Sequence, residues 1–271
     1  MIPDALFHTI VRFAEVFARS PLDQAVLRRV QPLESVTRWE MPEHDASIAL
    51  LKDRHREIMG AAWGGRSSSE VRTMNAFEHI TRSLEVIEAP DAVVGLSKRA
   101  IDDERRHIEI GRRVASAYER AEVPVPRMRN MRLPVYEGTS RRLQALLRVI
   151  SHCCLNETTA CAYAQYSLSI ARAPLVHSAL REILADEIDH GRVGWAAVAA
   201  APPRLREEAV KWLPRIIKTH LAGWRASLVE WPAPLHAHGM PPKRSALRLV
   251  NSTMTEVILP GLAAWGMRAR G

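Results

Sequence analysis

The chain is short of lysine, cysteine and aromatic side chains, and it contains no long apolar run. Only 5 of its 38 basic residues are lysine, and the arginines that carry the +8 net charge are scattered, with Asp and Glu interleaved among them. Scattered charge of this kind is not the stripe or tract of a dedicated nucleic-acid surface, although the net positive balance suits an acyl carrier protein, an acidic reductase or RNA as an anionic partner. The three cysteines, Cys153, Cys154 and Cys161, fall in one stretch. They make no disulfide framework and no Cys-x-x-Cys pair, and a reducing cytoplasm is the expected location. No window approaches 18 uninterrupted apolar residues, which excludes a membrane span. Asp4 and Glu15 interrupt the apolar pattern at the N-terminus, which argues against a secretory signal. What remains, 47% hydrophobic and 25% charged over 271 residues, is the composition of a globular protein able to bury a full core.

Within that composition one pattern occurs twice. Asp103-Glu104-Arg105-Arg106-His107 and Asp186-Glu187-Ile188-Asp189-His190 each contain Glu-x-x-His, each with Asp directly before the Glu and Gly four residues after the His (Gly111, Gly194). A glutamate and a histidine three apart share one face of an α-helix, so both can reach a single ion. With 21 Glu and 11 His in the chain, roughly one such pair is expected by chance. The doubled Asp alone has a chance of about one in a thousand. The repeat therefore marks a site.

The surrounding sequence predicts helices and no strands. Residues 4–19 have helical apolar spacing, 21–44 read as a short helix and irregular connection, and 45–62 add a helix that Gly64-Gly65 is expected to break. Four longer helices follow, at about 67–88, 91–122, 140–172 and 175–200, with turns at Ala89-Pro90-Asp91 and Ala173-Pro174. Residues 123–139 carry three prolines and no helical period. Extended, those residues span up to roughly 56 Å, enough to run the about 45 Å length of a 30-residue helix. Pro202-Pro203 closes this region; a helix at 204–230 with Pro214 as kink or start, a Pro/His/Gly-rich connection and a last helix at 243–259 complete the chain. The expected organisation is an N-terminal helical extension (1–60), a four-helix bundle (61–200) and a C-terminal helical extension packed on it (201–271).

Two further carboxylates complete a candidate metal site. Glu157 is the only acid between Glu137 and Glu182. In the 67–88 helix Glu70 is in phase with Met74, Phe77 and Leu84 and is the preferred residue, with Glu78, about 80° off that stripe, as the alternative. Asp103 and Asp186 are placed to accept the free N–H of a ligating histidine. Met74, Phe77, Gly111, Cys161 and Gly194 are candidates for lining the pocket. Carboxylates in a helical interior without a cation would be costly to desolvate.

The order Glu70, Glu104-x-x-His107, Glu157, Glu187-x-x-His190 resembles that of the ferritin-like superfamily of di-iron carboxylate proteins, over roughly residues 61–200. Asp103 to His107 also looks like the Asp-Glu-x-Arg-His form of its oxygenase branches; the second copy departs from it, with Asp189 where Arg would stand. The resemblance implies a ferritin-like bundle with a long crossover between its second and third helices, and two iron ions, or manganese or a mixed Fe/Mn pair. It also implies O2-dependent oxidation (hydroxylation, desaturation or N-oxygenation) of a small-molecule or carrier-bound substrate, with an external electron donor, in a monomer or homodimer. A ferroxidase or peroxide-scavenging protein, and a non-catalytic helical binding protein, are the alternatives.

Overall fold

The computed structural model describes residues 39–42, 45–127 and 133–268; the helix expected at 4–19 lies outside them. The described residues form helices joined by turns and irregular segments: α1 (Ala46–Ala49), α2 (Asp53–Val86), α3 (Asp91–Glu119) and α4 (Arg141–Val149), then a π-helical stretch (Ile150–Glu157) that leads directly into α5 (Thr158–Ile170). After these come α6 (Pro174–Ala200), α7 (Pro203–Val210) and α8 (Leu213–Ser227). A 3-10 turn (Ala233–His238), α9 (Lys243–Ser252), a second π-helical stretch (Thr253–Ile258) and α10 (Leu259–Ala264) are the last of the described elements. None of these helices is long and apolar enough to cross a membrane.

Local chemistry sets the ends. Ser140 caps α4, its hydroxyl accepting from the Leu143 N–H at 3.2 Å, and Pro174 and Pro203 open α6 and α7, where a missing N–H costs nothing. Two expectations change. Gly64 and Gly65 do not break a helix: they lie within α2, which runs 34 residues, because the buried residues on either side, Met59 and Trp63 before and Ser67 and Glu70 after, hold the turn together by tertiary packing. The helix expected at 204–230 is two, α7 and α8, and Pro214 sits at the start of α8 rather than at a kink.

α2 packs along α3, α3 along α6, and α6 against both α5 and the first π-helical stretch, while α4 lies on α2. Among the described residues, beside two small apolar clusters, two large ones fill most of the interior. One holds Phe77, Ile80 and Leu84 of α2, Val93 to Ala100 of α3, Leu143 to Leu155, and Val193 to Val198 of α6. The other holds Met59 and Trp63 of α2, Ile110 to Tyr118 of α3, Ala171, and Leu175 to Ile183 of α6. Along the chain α2 and α6 pass from the second cluster to the first, whereas α3 and the α4–α5 stretch pass from the first to the second. Arg142, at the start of α4, reaches the Ile87 carbonyl at 3.4 Å and Glu88 at 3.2 Å, just past the end of α2. α4 therefore starts near the N-terminal end of α3, about 44 Å (the length of a 29-residue helix) from where α3 ends.

Two glycines mark where helices meet most closely. A Cβ on Gly194 would stand 2.6 Å from the Cys154 backbone N and 2.7 Å from Cys153 Cβ, and one on Gly111 would stand 3.1–3.2 Å from Ser67. Gly64, by contrast, has nothing within 4 Å. Gly194→Ala is expected to destabilise the protein by about 1–3 kcal/mol through overpacking, while Gly64→Ala stabilises it by about 0.5–1 kcal/mol through helix propensity. Urea unfolding of the two variants beside the parent tests both signs.

Candidate metal centre

On each of the four long helical stretches a carboxylate falls where the chain passes from one apolar cluster to the other: Glu70 on α2, Glu104 on α3, Glu157 at the end of the first π-helical stretch, and Glu187 on α6. His107 and His190 lie one turn beyond Glu104 and Glu187, and all six side chains are buried. Donor atoms of Glu104, Glu157, Glu187 and His190 lie within 4.8 Å of one another, so these four could hold a metal ion. Glu78 is exposed. Of the two acids considered on α2, Glu70 is the one that turns inward, where its carboxylate meets Arg66 Nε at 3.2 Å.

The two histidines are disposed alike. His107 Nδ1 is 3.6 Å from Glu104 Oε2 and 3.9 Å from Glu187 Oε1; His190 Nδ1 is 3.1 Å from Glu104 Oε1 and 3.6 Å from Glu187 Oε2. Their other ring nitrogens face aspartates of the opposite helix: His107 Nε2 is 3.0 Å from Asp186 Oδ2, and His190 Nε2 is 3.5 Å from Asp103 Oδ2. The hydrogen bond to Asp186 holds a proton on His107 Nε2 and leaves its Nδ1 lone pair directed at the centre; Asp103 faces His190 Nε2 in the same sense, as a charge contact. Arg106 donates to Asp103 at 3.1 Å and also to Asp186, fixing both acceptors from outside. Asp189, the departure from the first motif, binds Arg192 at 2.5 Å and approaches Arg99 at 3.8 Å. It therefore belongs to this outer ring of ion pairs.

Both oxygens of Glu104, Oε2 of Glu187, Nδ1 of His107 and both ring nitrogens of His190 are buried without a hydrogen-bond partner. Each such atom costs about 1–3 kcal/mol in a protein interior. His190 Nδ1 and Glu104 Oε1 are 3.1 Å apart yet misaligned for a hydrogen bond. Donors at about 2.1 Å from one octahedral ion stand about 3 Å from each other, so the spacing and the misalignment both suit a shared cation. The carboxylate and imidazole donor set fits iron or manganese.

In the metal-free protein, protons offset the buried charge. Burial and the neighbouring carboxylates push Glu70 up to about 7 and Glu157 well above the usual carboxylate range. Burial alone would lower His107 and raise Glu104. The hydrogen bond to Asp186 and the nearby Glu104 carboxylate instead lift His107 to about 10, and the close His107 and His190 imidazoles hold Glu104 down to about 2.

A cavity of about 690 Å³ reaches this layer, with Glu70, Glu157, Glu187 and His152 among its lining and Trp63, Tyr163, Trp224, Leu228, Trp231 and Met240 on its walls. None of the residues expected to line a pocket lines this cavity. Met74 packs on Val71 and Ile108; Phe77 sits between the His152 and His190 rings at 5.2 and 5.0 Å. Gly111 and Gly194 are spent on close helix contacts, and Cys161, raised to about 12 by burial and then by Glu187 and Glu157, is half-buried outside the lining. The residues that do line it on α8 and beyond come from the C-terminal extension, which carries no motif.

No family model, no curated protein and no solved structure matches the chain.

One residue of the site carries no sequence signal. His152 is 9% exposed, and its Nε2 is partnerless and 3.2 Å from Glu157 Oε1. Burial lowers it to about 4, leaving it neutral. An α-helical period sets residues five apart about 140° apart on the helix; only the π-helical backbone of Ile150–Glu157 brings His152 beside Glu157.

Because a cation displaces the protons on His107, His190, Glu70 and Glu157, loading with Mn(II) is expected to release protons, and affinity rises between pH 6 and 8. Calorimetry in buffers of different ionisation enthalpy measures the release. Asp186→Asn is expected to weaken Mn(II) binding about 10–100-fold, whereas Glu78→Gln leaves it unchanged.

Proposed function

We propose that the chain is a non-haem di-iron oxidoreductase of ferritin-like architecture that uses O2 to oxidise an organic substrate. The observation that carries the proposal is the convergence of buried carboxylate and imidazole donors from four helical stretches, several of them partnerless, beside a cavity wide enough for an organic molecule. The directions of α2, α3, α4–α5 and α6 between the two apolar clusters, with α4 starting beside the end of α2, support a four-helix bundle with one long crossover. This is the topology that the ligand order resembles.

In this reading Glu70, Glu104, His107, Glu157, Glu187 and His190 hold two iron ions, with manganese or a mixed pair as the other occupants their chemistry admits. The bound metals supply the electrons and open coordination positions that O2 requires. The remaining work belongs to the chain. Asp103 and Asp186 orient the imidazoles, Arg99 and Arg106 orient the aspartates, and the apolar clusters on either side of the carboxylate layer exclude water. The cavity admits the substrate against Glu70, Glu157 and Glu187, and its walls of Trp63, Tyr163, Trp224 and Trp231 suit an apolar or aromatic body. Hydroxylation would place one oxygen atom in the substrate and release the other as water, so two electrons and two protons per turnover must come from an external donor. An iron-storing or peroxide-scavenging protein would have no use for such walls, and this favours the oxygenase reading over those alternatives.

Anaerobic titration with Fe(II) is expected to reach two ions per chain, and admission of O2 to consume it faster than free Fe(II) does. Glu187→Ala is expected to lose at least one of the two ions. A parent protein that takes up no Fe(II) would end this reading.

A further inference from the structure

We propose that His152 is a seventh protein donor of this centre, ligating through Nε2 the ion that Glu157 holds; the inference rests on the metal reading above. His152 Nε2 lies 3.2 Å from Glu157 Oε1, the separation of two neighbouring donors on one octahedral ion. The two atoms are not aligned as donor and acceptor, and Nε2 has no other partner although it is buried. Glu157 Oε1 already has a donor in Asn156 Nδ2, at 3.3 Å. A buried nitrogen left free beside a carboxylate whose proton needs are met elsewhere is arranged for a cation.

The backbone supports the same assignment. The chain adopts eight residues of π-helix, Ile150–Glu157, between two α-helices, a conformation that is rare and concentrates at functional sites. Its effect here is to place the fifth residue before Glu157 on the face that Glu157 presents. The edge of Phe77, with ring centroids 5.2 Å apart and planes at 72°, holds the imidazole in that orientation.

The consequence is asymmetry. Glu70 has the cation of Arg66 beside it at 3.2 Å; Glu157 has the His152 imidazole at 3.2 Å. The ion on the Glu157 side gains a nitrogen donor, and the ion on the Glu70 side does not. The two positions are therefore inequivalent, although His152, Glu157 and Glu70 all line the cavity.

Cobalt(II) is the probe. In the fully loaded parent protein, proton NMR is expected to show three strongly shifted, solvent-exchangeable imidazole N–H resonances, from His107, His190 and His152. His152→Ala and His152→Gln are each expected to show two, with binding of one of the two ions weakened about tenfold or more. The parent spectrum decides the matter even where a variant folds poorly. Two resonances in a parent that binds two Co(II) overturn the assignment of His152 and leave the metal reading standing. Failure of the parent to take up Co(II) at all overturns both.

Discussion

Positive charge at the middle of the helices is the requirement on which the structure depends. Glu70, Glu104, Glu157 and Glu187 are all inside, with His107 and His190, and much of their hydrogen-bonding capacity is unused. Four carboxylates in a low-dielectric interior repel one another and lose their hydration, a cost that outweighs what packing alone returns. Protons can offset it in part, as the raised Glu70 and Glu157 show; divalent cations offset it fully. The layered interior follows from this. The buried carboxylates are confined to one level of the helices, and the apolar clusters above and below provide the stability that the layer does not.

The same requirement extends outward. Each histidine is set by an aspartate from the opposite helix, and the aspartates are themselves held by Arg99 and Arg106. The duplicated Asp-Glu-x-x-His is thus one interlocked unit: the Asp of each copy serves the His of the other. This crossed arrangement explains why the Asp recurs in both copies and why substituting Asp189 for Arg in the second does not disturb it, since that carboxylate joins the outer ion pairs.

Function enters through the flank. The helices that carry the carboxylates would close over them, yet a cavity reaches Glu70, Glu157 and Glu187. Its walls are completed by Trp224, Leu228 and Trp231 from residues after the layered region. Those residues have the helical period of any amphipathic segment, and nothing in their spacing announces a binding role. Residues after the layered region thereby complete the walls of a cavity that opens onto the buried polar layer.

The sequence by itself determined the repeated acid–imidazole pair, because three-residue spacing on an α-helix is a local property that needs no partner helix. It also singled out Glu157, as the one acid in its stretch, and preferred Glu70 to Glu78 on helical phase. The all-helical class followed from periodicity alone. Only the tertiary structure decided the rest. Gly64 and Gly65 stay helical because packing on both sides outweighs their poor propensity, and Gly111 and Gly194 are contact points because neighbouring helices press against them. His152 joins Glu157 because eight residues abandon the α-helical period, and a reading based on 3.6 residues per turn must place it on another face. Local spacing can assign residues to a face, but the choice between competing backbone geometries, and the meeting of distant faces at a cavity, depends on contacts among residues far apart in the chain.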